Sequence, residues 1–99
     1  MRFIVKESIF GKIQKYKRLT KQALEKISLK KGLSKKDQKT AKDFLEMGKN
    51  YFFDAKYFEK KGDHANALAA LSYAHAWLDA GVRAGLFDAK GDSKLFTLP

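Results

Sequence analysis

The chain contains no cysteine, which excludes a disulfide framework, a thiolate nucleophile and cysteine-ligated zinc. Its one proline is the terminal Pro99, so no missing N–H or ring clash interrupts a helix before that point. Arginine is scarce, three of 21 basic residues, and lysine meets phosphate as a point charge where arginine's planar fork reads bases. No uninterrupted apolar run approaches the roughly 20 residues that span a bilayer. Met1–Glu7 lacks the apolar core of a signal peptide. A glycine-rich phosphate loop is missing, since neither Gly81 nor Gly85 is followed by Gly-Lys-Ser/Thr. Serines 8, 28, 34, 72 and 93 lack the setting of a nucleophile elbow. These absences lead to the expectation of a cytoplasmic, non-enzymatic protein with no cofactor, metal, membrane association or small-molecule substrate.

What remains is a chain suited to one folded domain: 99 residues, 44% hydrophobic and 13% aromatic. The net charge of +10 is uneven, with +8 in residues 1–33, +3 in 34–61 and −1 in 62–99. A positive field of this kind attracts polyanions, nucleic acid among them. A lysine-rich solvated helix face that serves solubility produces the same composition.

Sustained period-two alternation is missing, so no strands are expected. Ile9, Ile13, Tyr16, Thr20, Ala23, Leu24 and Ile27 recur at steps of three and four and predict a helix over about 4–30, with Gly32 as its stop. Ser34 and Asp37 resemble a capping box, and Ala41, Phe44, Leu45, Gly48, Tyr51, Phe52, Ala55 and Phe58 carry a second helix over 35–61. Gly62 ends it, and Asp63 can cap a third helix over 64–85 directly. Its stripe is Ala67, Leu68, Leu71, Ala74, Leu78, Val82 and Gly85. Long helices with short joins predict an all-α, antiparallel, up-and-down three-helix bundle with left-handed packing. The domain is expected over 1–87, with 88–99 a loose tail.

The third helix has more apolar surface than one contact needs. Opposite its main stripe lie Ala70, Tyr73, Trp77, Ala80 and Ala84, and a helix apolar on most sides expects to be covered on most sides. Either the first helix covers this stripe or it is an interface.

One stretch has a known likeness. Tyr51-Phe52-Phe53-Asp54-Ala55, Tyr57-Phe58-Glu59-Lys60-Lys61-Gly62-Asp63, Asn66-Ala67-Leu68 and, most specifically, Ser72-Tyr73-Ala74-His75-Ala76-Trp77-Leu78-Asp79-Ala80-Gly81 resemble a family of short archaeal proteins, domain-of-unknown-function family 357. The resemblance runs from Asp43 to Gly85, departs from the expected glycine at Ala76, and finds no motif in the first helix. It implies a left-handed three-helix bundle in an archaeal cytoplasmic protein, with no assigned activity and no catalytic residues to carry over.

Two functional readings follow. In the first, the chain is a protein–protein interaction or self-association module, with Phe53, Tyr57, Tyr73 and Trp77 as its surface. In the second, Lys12, Lys15, Arg18, Lys21, Lys30 and Lys31 bind nucleic-acid phosphates in a salt-sensitive, nearly sequence-independent way. Asp54, His75 and Asp79 are expected to make structural contacts. Each aspartate should bond a lysine, tyrosine or arginine at a helix seam, with Tyr51 or Tyr73 as the preferred company. His75 should bond locally through its ring nitrogens, and with Asp79 it supplies too few ligands for a metal.

Overall fold

The computed structural model describes residues 8–99; the expected helix start near residue 4 and the Met1–Glu7 segment lie outside the described residues. Ser8 caps the first helix, α1 (Ile9–Lys26), its hydroxyl accepting from the Gly11 amide at 3.0 Å. In the same way Ser34 accepts from the Asp37 amide at 3.1 Å and opens α2 (Lys35–Lys60). These bonds satisfy amides that the first helical turn leaves without partners.

The join from α2 to α3 (His64–Arg83) uses Gly62, whose φ of +74° suits a residue without Cβ. The Asp63 amide donates to the Phe58 carbonyl at 2.9 Å, closing α2, while the Asp63 carboxylate accepts from the Asn66 amide at 3.2 Å, opening α3. One residue thus ends one helix and starts the next, which forces the two antiparallel. Gly85, with φ of +76°, ends α3 similarly: the Leu86 amide donates to the Gly81 carbonyl at 2.9 Å.

The first helix stops at Lys26, four residues short of the expected end, because Ile27 turns extended. Ser28–Leu29 then form a strand, β1, which pairs antiparallel with β2, Phe87–Asp88, in the register Ser28–Asp88 and Leu29–Phe87. Two residues are too few to show alternation, so this pair left no trace in the sequence. The architecture is all-α, an up-and-down bundle of three helices, with the short β pair tying one end.

Helix α3 is the central element, packing along α2 on one side and α1 on the other, while α1 and α2 touch each other sparingly. The core has two parts. Towards the α2–α3 turn, Ile13, Phe52, Ala55, Ala67, Leu71 and Ala74 are buried together. At the other end Ala23, Ala41, Leu78 and Val82 meet Leu86, Phe87, Leu95 and Phe96 from the chain beyond α3. Residues 88–99 are therefore not a loose tail. Burial of their apolar side chains, worth about 25 cal/mol per Å², draws the segment back along α3, where Leu95 and Phe96 pack beside Leu78 and Val82.

Candidate interaction surfaces

The outer face of α3 carries Ala69, Ser72, Tyr73, Ala76 and Ala80, all exposed. Helix α1 does not cover it, because α1 packs on the neighbouring flank through Leu71 and His75. Of the second apolar stripe only Ala70 is buried and Trp77 half-buried, while Tyr73, Ala80 and Ala84 face solvent. Aromatic pairs wall the face on the α2 side. The Tyr73 ring stacks on Tyr51 with centroids 5.2 Å apart, and Trp77 meets Phe44 edge-on at 5.0 Å. Between them lies a shallow, mostly apolar depression lined by Tyr51, Tyr73, Ala76, Trp77 and Ala80.

A second concavity, of about 380 Å³, lies between α1, α3 and the C-terminal segment. Its polar groups are turned on one another. His75 is held on both nitrogens, Nδ1 by the Thr20 hydroxyl at 3.1 Å and Nε2 by the Leu95 carbonyl. Because a carbonyl can only accept, Nε2 carries the hydrogen and Nδ1 accepts from Thr20. One helical turn on, Asp79 accepts from the Thr97 amide at 2.9 Å. This constellation anchors the chain end and leaves neither imidazole nitrogen free for acid–base chemistry. No group of three His, Asp or Glu among the described residues is placed to hold a metal.

The third concavity is an open groove of about 390 Å³ between α1 and α2, lined by Lys17, Lys21, Phe52, Lys56, Glu59 and Lys60. Glu59 accepts from Lys17 Nζ at 2.9 Å and from Gln14 Nε2 at 2.7 Å. The Lys17 hydrogen bond holds its carboxyl below the usual value, against partial desolvation that pulls the other way.

The sequence-derived candidates are thus regrouped. Tyr73 and Trp77 share the α3 face, but Phe53 and Tyr57 lie on the outer side of α2, roughly 160° and 120° around that helix from Tyr51 and without ring contact to Tyr73 or Trp77 among the described residues. The polyanion set divides as well. Lys12 and Lys21, nine residues apart, fall on opposite flanks of α1, and Lys30 and Lys31 lie beyond its end. Asp54 is exposed and makes no side-chain hydrogen bond among the described residues, and Asp79 bonds backbone and hydroxyl of Thr97; neither meets the lysine, tyrosine or arginine expected. His75 is fully bonded, to residues 55 and 20 positions away rather than locally.

Sequence reading included Lys21 but missed the lysines of α2 that converge on it, Lys56 and Lys60, which lie opposite Lys17 and Lys21 of α1. Their only local signal is the excess of lysine around Phe53 and Tyr57. No helix among the described residues is long and apolar enough to cross a membrane.

A family model described as a protein of unknown function, DUF357, matches residues 15–87. The match takes in most of α1, where no motif was legible. No curated protein and no solved structure matches the chain.

Proposed function

The chain belongs to the DUF357 family, whose description assigns no activity, and from its surfaces we propose that it is a non-catalytic self-association module, pairing through the outer face of α3. The observation that carries this reading is Tyr73, 60% exposed on a helix face whose one charged residue is Arg83 at its far end. Between Gly62 and Val82 the sequence has no lysine or arginine, although the whole chain carries 21 and a net charge of +10. Two copies repel each other across any lysine-bearing face. The α3 face is where they can approach.

The small side chains of Ala69, Ser72, Ala76 and Ala80 allow a second α3 to come within the roughly 8–10 Å of packed helices. Tyr73 and Trp77 supply the large, partly polar rings that anchor such contacts. A cysteine-free module of this kind suits the cytoplasm.

Sedimentation equilibrium over rising concentration tests the proposal. A dimer is expected, with Ala76→Glu shifting it to monomer while helix content by circular dichroism is kept. A strict monomer at every concentration, or an Ala76→Glu variant that pairs as well as the parent, overturns it.

A further inference from the structure

We propose a second site, on a different face: the α1–α2 groove binds the phosphates of single-stranded nucleic acid, and Phe53 and Tyr57 beside it stack on the bases. Four lysines from two helices line the groove. Its one carboxylate, Glu59, is already engaged by Lys17 and Gln14. Lys21, Lys56 and Lys60 make no ion pair among the described residues, where the ion pairs are Lys17–Glu59 and Lys26–Asp92. The groove therefore keeps a surplus of positive charge in a concave setting, where field lines concentrate.

The aromatic half is continuous with it. Going round α2 in steps of about 100° per residue, Phe52 on the groove floor is followed by Lys56, Lys60, Phe53 and Tyr57. The Lys56 ammonium lies 4.9 Å from the Phe52 ring and 5.9 Å from the Phe53 ring, and Lys61 lies 5.5 Å from the Tyr57 ring. Phe53 is 72% and Tyr57 58% exposed. A lysine face serving solubility has no use for large exposed rings, whereas rings interleaved with cations are what a splayed single strand requires. A duplex hides its base faces and offers phosphates alone. Lysine rather than arginine at every groove position makes the contact independent of sequence.

The test is fluorescence anisotropy of the full chain with a labelled oligouridine of about 20 nucleotides, titrated between roughly 50 and 200 mM salt. Binding is expected to weaken with salt with a log–log slope of about −2, three lysines each contributing about −0.7. K21Q/K56Q/K60Q should bind at least about tenfold more weakly, and Phe53→Ala and Tyr57→Ala each about fivefold or more. The charge-matched control K12Q/K15Q/K31Q lies away from the groove and should lose less than about threefold. All these positions are exposed except the half-buried Lys12, and circular dichroism checks that each variant keeps its helices.

Four outcomes overturn the proposal: no binding at the lowest salt, equal losses in the two triple variants, alanine variants that bind like the parent, or polyglutamate of equal length competing as well as oligouridine. The last would make the groove a dock for acidic protein.

Discussion

The Phe87 ring lies against the bare backbone of Gly81: a Cβ added at residue 81 would stand 2.2 Å from two carbons of that ring. Gly85 turns the chain at the end of α3, the Leu86 amide returns to the Gly81 carbonyl, and the next side chain, Phe87, folds over residue 81 and is buried. Glycine inside a helix costs about 0.5–1 kcal/mol relative to alanine, so Gly81→Ala improves local propensity while colliding with the core. The collision should win. A net loss of about 1–3 kcal/mol in urea unfolding is expected, and a Gly81→Ala variant as stable as the parent would show that Phe87 moves aside freely.

The C-terminal segment should contribute to stability like any other core element. Phe96 is buried in the part of the core away from the α2–α3 turn, so Phe96→Ala should cost about 3 kcal/mol. Asp79→Ala, which leaves the Thr97 amide without its acceptor, should cost about 1 kcal/mol. Asp54→Ala should stay within about 0.5 kcal/mol of the parent. Thermal or urea unfolding of the three variants ranks them, and an order with Asp54 above Asp79 contradicts the contacts described.

Thr20 is a fully buried polar residue whose hydroxyl donates to His75 Nδ1. Thr20→Val keeps the shape and removes the donor, so one imidazole nitrogen is left half-buried and unpaired, at about 1–3 kcal/mol. Thr20→Ser keeps the hydroxyl and should retain the Nε2–H tautomer, read from the imidazole nitrogen shifts by NMR. Finding the hydrogen on Nδ1 in the parent protein would refute the assignment.

Glu59 supplies a pH dependence. Its carboxyl is lowered from 4.5 chiefly by the Lys17 hydrogen bond, so the folded state holds protons less readily than the unfolded one. The resulting stabilisation is fully present above the unfolded value and fades as pH falls through the lowered folded value. The pair is partly exposed, with 33% and 22% of the two side chains accessible, which limits it to about 0.2–1 kcal/mol. Melting temperatures of Glu59→Gln and parent should differ near neutral pH and converge in acid; a constant gap across that range would place the effect of Glu59 elsewhere.

Local chemistry was legible because it acts over three or four residues. The caps at Ser34 and Asp63, the left-handed stop at Gly62 and the apolar spacing of α2 and α3 lead to the helices that form, and the Gly62–Asp63 join leaves the two no choice but to run antiparallel. The misreadings share one feature, dependence on distant partners. Ile27 would extend α1 by its spacing, yet the strand across from it, Phe87–Asp88, claims the backbone that follows. Leu95 and Phe96 look like a greasy tail until the hollow beside Leu78 and Val82 is there to receive them.

By itself, then, the sequence determined the number of helices, their ends at Gly62 and Gly85, the antiparallel hairpin of α2 and α3, and a third helix free of lysine in a strongly basic chain. Tertiary structure alone decided that Thr20 meets His75 across 55 residues and Lys17 meets Glu59 across 42. It also decided that Phe53 and Tyr57 part from Tyr73 and Trp77. The physical reason is reach: periodicity, capping and left-handed turns are settled within a helical turn, while the rotation of one helix about another is set by which side chains fill the space between them.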